Sequence, residues 1–142
     1  MKQIEGGVTA AKGFSAACCE ANIKYKNRTD MAMVTSSVPC DCAGTFTSNV
    51  VKAACVMWDM KVVASGKPMQ AVVCNSGIAN ACTGQEGWDA CEATAAAVEK
   101  CLNIPKESVA VASTGVIGMQ LPVEKLVAGV EKMSATLADT KE

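Results

Sequence analysis

Two hydroxyls and a glycine, Ser113-Thr114-Gly115, follow directly on the apolar run Val109-Ala-Val-Ala112 and lead through Val116-Ile-Gly118 to Leu121-Pro122, where a helical pattern begins. A strand that passes into a small-residue turn and then a helix exposes backbone N–H groups at the turn and at the first helical residues. Such a turn can hold negative charge. A second stretch, Asn75-Ser-Gly-Ile-Ala-Asn-Ala-Cys-Thr-Gly84, is rich in residues that accept unusual backbone angles. It contains neither G-x-G-x-x-G nor G-x-x-x-x-G-K-[ST], so a dinucleotide or P-loop site is only weakly supported. On spacing alone the 75–84 loop could equally be a plain turn between strand and helix, and for 113–118 a plain turn is the commoner outcome.

Other chemistries are excluded more firmly. The chain has no histidine, which removes every Ser–His and Cys–His nucleophile–base pair within it. Nine cysteines are an odd number in a chain with no secretory signal, so a disulfide framework is not expected. The closest spacings, Cys18-Cys19 and Cys40-Asp-Cys42, do not match the C-x2-C pairs of structural zinc sites, and no metal is expected. Most of these residues should be reduced and serve as small core hydrophobes.

With 13 basic and 14 acidic residues and 4% aromatics, the chain lacks the basic excess and stacking surface of a nucleic-acid binder. No apolar run approaches the ~18 residues needed to cross a bilayer, and Met1-Lys-Gln-Ile-Glu-Gly-Gly7 has no signal-peptide core. The expectation is a soluble, cytoplasmic protein acting on small molecules, with residues 1–142 forming a single domain.

The elements that must position these loops are unevenly legible. Residues 14–23 read as strand, 24–30 as a solvated turn and Met31–Thr35 as strand. Cys42–Thr47 is a further β candidate, and Val50–Val63 is mixed, with a short strand near Cys55-Val56-Met57 and then a helical turn. From residue 70 onward a plan repeats. Ala71–Cys74 is a strand, 75–84 a loop, and Trp88, Cys91, Ala95, Val98 and Leu102 mark one face of a helix stopped by Asn103-Ile-Pro105. Val109–Ala112 is the next strand, Ser113–Leu121 its loop and Pro122 the first helical residue. Val123, Leu126, Val127, Val130, Met133 and Leu137 then form an apolar stripe. Two strand–loop–helix units in series predict an α/β layered sheet with helices packed on it.

The series Gly7-Val-Thr-Ala-Ala-Lys-Gly-Phe14, Ala43-Gly-Thr-Phe-Thr-Ser-Asn49, Lys52-Ala-Ala54, Val72–Gly84 and Val111-Ala-Ser-Thr-Gly-Val-Ile-Gly118 resembles the ornithine acetyltransferase (glutamate N-acetyltransferase) family of arginine biosynthesis. The likeness runs in order from residue 7 to about residue 130; the last two motifs together are its specific part. The resemblance implies transfer of an acetyl group from N-acetylornithine to glutamate, with acetyl-CoA a possible co-substrate and no bound cofactor. It implies a precursor that cleaves itself before a threonine, which becomes the nucleophile at the N-terminus of a β chain, and αβ pairs that assemble to a heterotetramer. It implies that Thr114 (hydroxyl or N–H) and Gly115 form the oxyanion hole, and that the fold is the N-terminal portion of a larger α/β/β/α-type architecture.

Ile78 stands where the family usually has Asn, and Cys74 where Val or Asn neighbours are common. No segment resembles the self-cleavage motif, so this chain is expected to be inactive alone and to carry an exposed apolar edge where further strands and the β chain belong. The competing readings are an N-terminal-nucleophile peptidase of similar fold and a non-catalytic small-anion binding module.

Overall fold

The computed structural model describes residues 6–140; residues 1–5, which carry most of the N-terminal segment read as lacking a signal-peptide core, and 141–142 lie outside the described residues. The elements run β1 (Phe14–Cys19), β2 (Met31–Cys40), α1 (Ala54–Ala64), β3 (Met69–Ile78), α2 (Gly84–Leu102), β4 (Val109–Val116) and α3 (Val123–Ser134). They form one mixed sheet of order β1-β2-β3-β4, with β1–β2 and β2–β3 antiparallel and β3–β4 parallel. The α/β expectation is met.

Alternation along the strands sorts the sheet into two unlike faces. Met31 and Met33 of β2, Ala71 and Val73 of β3 and Val109 and Val111 of β4 are all buried and lie in register across the sheet. They meet the buried stripes of the helices: Trp58 and Val62 of α1, Cys91, Ala95 and Val98 of α2, and Leu126, Val130 and Met133 of α3. α1 and α2 lie against β4, and α3 against β1 and β2. On the opposite face Ala32, Val72, Cys74, Ala112 and Thr114 are exposed. That face is apolar, built of small side chains and uncovered among the described residues.

Local chemistry explains the ends. The 20–30 connection closes on the Asp30 carboxylate, which accepts the Ala21 and Ile23 N–H groups at 2.7 Å each and is itself buried. α2 stops where Asn103 takes a left-handed conformation (φ 52°) and Ile104 N–H bonds back to the Glu99 carbonyl. Pro39, which has no N–H for a ladder, falls in the register shift of β2 between Thr35 and Cys40.

Several expectations are corrected. No strand forms over Cys42–Thr47: residues 41–51 are exposed and irregular. There Asn49 N–H bonds to Thr47 Oγ1 and Val51 N–H to Asn49 Oδ1, so side chains supply partners a ladder would otherwise provide. No strand forms near Cys55–Met57 either. A continuous helix runs from Ala54 to Ala64, because Cys55, Trp58 and Val62 gain burial on one side of it, and that burial outweighs the β preference of the valines. The loops expected at 75–84 and 113–121 begin later, since β3 continues to Ile78 and β4 to Val116. Pro122 is the N-cap of α3 rather than its first helical residue. Of the nine cysteines, all free, only Cys55 and Cys91 are buried; Cys18, Cys42, Cys74, Cys82 and Cys101 are exposed, so most do not serve as core hydrophobes.

Candidate functional site

Thr114 and Gly115 sit in the last turn of β4, paired in register with Ser76 and Gly77 of β3, and both are exposed. They are not in a tight strand-to-helix turn. α3 begins only at Val123, beyond the 117–122 loop, and packs against α2, β1 and β2. The helix end that does reach this part of β4 is that of α1: the Ser113 backbone N–H points at the Cys55 thiol in the first turn of that helix.

The two glycines explain the strand pairing. Gly115 has φ 134° and Gly77 φ 110°, a region that L side chains rarely adopt. A Cβ on Gly115 would lie 2.5 Å from the Gly77 oxygen and 2.6 Å from the Ile78 nitrogen. The backbones of β3 and β4 therefore approach each other here as only glycine permits.

The direction of each backbone group in β4 follows from its partners. Trp58 Nε1–H donates to the Val109 carbonyl at 3.0 Å, and Val111 N–H donates to Asp59 Oδ1 at 2.9 Å. Both belong to the outer edge of β4, which no further strand covers among the described residues. The intervening residues face β3: the Ser108 carbonyl accepts from Ala71 N–H and the Val116 carbonyl from Ala79 N–H. In a parallel strand both backbone groups of a residue point to one side, alternating along the chain. Val109, Val111, Ser113 and Gly115 therefore point outward, and Thr114 N–H points inward to β3. Of the two Thr114 groups considered, the hydroxyl is the free one. It projects on the open face, beside a Gly115 N–H on the free edge. A hydroxyl and an amide donor thus meet at the corner where open face and free edge join.

Behind this corner lies a hydrogen-bonded frame. Ser113 Oγ–H donates to Asn75 Oδ1 at 2.6 Å, and Asn75 Nδ2–H donates to the Ile78 carbonyl at 3.1 Å. The fully buried Asn80 ties together the starts of two helices: its carbonyl accepts Ala54 N–H at 2.9 Å, its Nδ2–H donates to the Gly87 carbonyl at 2.8 Å, and its Oδ1 accepts the Thr83 hydroxyl at 2.6 Å. The Asn75–Gly84 motif is accordingly a brace for the starts of α1 and α2. Burial raises the Asp59 carboxyl to about 6 against the opposing hydrogen bond from Val111, and burial pushes the Cys91 thiol up to about 12. Asp59 was not legible as a site residue, although a lone carboxylate beside Trp58 in the apolar run Cys55–Val63 was a signal that could have marked it. A cleft of about 240 Å³ between Phe14, Val34, Cys40 and Met69 lies toward the other end of the sheet and does not include the Thr114–Gly115 pair. Among the described residues no group of three His, Cys, Asp or Glu side chains is placed to hold a metal ion, and no helix is long and apolar enough to cross a membrane.

The sequence matches the ArgJ family over residues 15–142. It is 48% identical over 128 residues to the arginine biosynthesis bifunctional protein ArgJ of Thermotoga neapolitana, covering 89% of this chain and 32% of that protein. It is 44% identical over 138 residues to the protein of the same name from Thermosynechococcus vestitus, covering 97% of this chain and 33% of that one. The chain thus spans about a third of the length of these curated relatives. A crystal structure of ornithine acetyltransferase complexed with ornithine, from Mycobacterium tuberculosis, superposes with a TM-score of 0.90 at 43% identity, covering 96% of this chain and 73% of that chain. With the family match over residues 15–142, these identities and a shared fold, the chain belongs to the ArgJ family.

Proposed function

We propose that this chain supplies the oxyanion-binding part of an acetyltransferase that moves an acetyl group from N-acetylornithine to glutamate in arginine biosynthesis. The observation that carries the reading is the corner itself: a free Thr114 hydroxyl beside an outward Gly115 N–H, in a chain of this family. The nucleophile is the N-terminal threonine of a β chain released by self-cleavage, its own α-amine serving as base. Its hydroxyl oxygen attacks the acetyl carbonyl, and the carbonyl electrons move to oxygen, where the Thr114 hydroxyl and Gly115 N–H receive them. Collapse of that intermediate expels the ornithine amine with a proton and leaves acetyl-threonine, which the amine of glutamate then attacks in the reverse sense. Each preorganised donor at such an oxygen is typically worth ~3–4 kcal/mol. In this reading the supporting positive potential comes from the first turn of α1, which packs against β4. Acetyl-CoA could serve as a second acetyl donor to the same nucleophile.

The partners in this reading are the β chain, in αβ pairs that form a heterotetramer, and the open apolar face is where further strands of the protein pack. Intact mass under denaturing conditions should show a second polypeptide beginning with Thr in active material, and acetyl transfer should require glutamate. Peptide hydrolysis without acetyl transfer would replace this reading with a peptidase. Stabilisation of this chain alone by inorganic phosphate would replace it with an anion-binding module.

A further inference from the structure

An edge strand with no neighbour leaves a row of backbone donors and acceptors without partners. On β4 part of that row is answered by side chains of one helix. Trp58 Nε1–H donates to the Val109 carbonyl and Asp59 accepts the Val111 N–H, while the Cys55 thiol lies near the Ser113 N–H, all on α1. The next outward N–H along the strand is that of Gly115, beyond the start of the helix. α1 therefore holds the edge at Val109 and Val111, short of the proposed donor pair. Within this clamp Asp59 is the only side chain that can carry a full charge while accepting a hydrogen bond. A charge-assisted bond of that kind is roughly twice as strong as a neutral one.

We infer that Asp59 is a positioning residue for the Gly115 amide: its carboxylate holds the Val111 N–H, and with it the free edge of β4, so that the amide meets the developing oxyanion. This rests on the oxyanion reading above. Asp59 touches no reacting atom and acts through the strand. The titratable groups near it are the thiols of Cys55 on α1, Cys74 on β3 and Cys91 on α2, neutral below pH 8, and β4 itself contributes none. Lys61, the nearest cation along its own helix, is paired with Glu107 at 3.1 Å. With no cation beside it, the carboxyl takes a proton near pH 6, and the acid form is the weaker acceptor.

The test uses the assembled two-chain enzyme, with N-acetylornithine and glutamate as substrates. Asp59→Leu should lower kcat about tenfold with KM within twofold, the split expected when an oxyanion donor is displaced and substrate binding is left intact. Asp59→Asn keeps an Oδ1 acceptor without the charge, so its kcat should lie between those of Asp59→Leu and wild type and match the acid-side level of the wild type. The wild-type kcat profile should fall with a midpoint near pH 6, and Asp59→Asn should lack that component. Wild-type kcat in Asp59→Leu, or an Asp59→Asn profile that retains the pH 6 component, overturns the inference. Should Asp59→Leu fail to assemble, the Asp59→Asn profile decides alone. A Thr114→Ala enzyme acetylated at the wild-type rate would instead overturn the oxyanion reading. An impaired Thr114→Ala beside unaffected Asp59 variants overturns the positioning role only.

Discussion

At the scale of single residues, two side-chain choices carry most of the site's geometry. Gly115 is constrained twice, by a φ of 134° and by the Gly77 carbonyl and Ile78 nitrogen that a Cβ would strike. Gly115→Ala should therefore destabilise the protein by ~3 kcal/mol or more, combining backbone strain with a clash against backbone rather than a flexible side chain. Urea unfolding checks this, and a loss under about 1 kcal/mol would mean that the strands can separate at little cost. Asp59 makes a prediction of the opposite sign. Its folded carboxyl titrates near 6, above the ordinary value near 4, so the folded state binds this proton more tightly than the unfolded one. The contribution of Asp59 to stability is therefore greatest below pH 4, declines between pH 4 and 6, and stays at its low level above pH 6. Asp59→Asn, which keeps the acceptor without the charge, should unfold at a higher temperature than wild type at pH 7.5. By pH 4 that gain should vanish. Solvent access discounts its size to ~1–2 kcal/mol.

At the scale of elements, α1 decides how β4 presents its edge, and it was the least legible part of the chain. Its buried residues Cys55, Trp58 and Val62 share the helix with Met57 and Met60, which are exposed, so apolar residues occur all around it and blur the 3.6-residue period. α2 and α3 could be read because their stripes stand against Lys and Glu on the other face. β3 and β4 could be located but not bounded, since Asn75–Ile78 and Ser113–Val116 look like turn residues and are held extended by pairing with each other across the sheet. The Thr114-Gly115 pair was visible as a motif. The outward direction of its amide was not, because that follows from Trp58 and Asp59, more than fifty residues earlier in the chain. The role of Trp58 can be isolated. Its ring packs edge-on against Trp88 with centroids 5.5 Å apart, while its Nε1–H serves the Val109 carbonyl. Trp58→Phe keeps much of the first and removes the second, and should cost about 1–2 kcal/mol in a thermal or urea unfolding experiment.

At the scale of the whole molecule, helices cover one face of the sheet and the described residues leave the other open, with Thr114 on that open side. A face of Ala32, Val72, Cys74 and Ala112 admits close approach of a second layer, and the chain spans about a third of the curated relatives it matches. Cys74 is a built-in reporter. In this chain by itself its thiol should react with a maleimide at pH 8 while the buried Cys55 and Cys91 do not, and in the assembled enzyme Cys74 should be protected. Equal Cys74 labelling in both forms would place the second layer elsewhere. The central proposal, that this corner receives the charge of the tetrahedral intermediate, is tested most directly by single-turnover acetylation of the proposed nucleophilic threonine in the proposed two-chain enzyme. N-Acetylornithine is supplied without glutamate, and the acetyl-threonine chain is followed by mass. Thr114→Ala should slow its appearance by roughly 10²–10³-fold, the cost of losing one oxyanion donor. Acetylation at the wild-type rate would contradict the account.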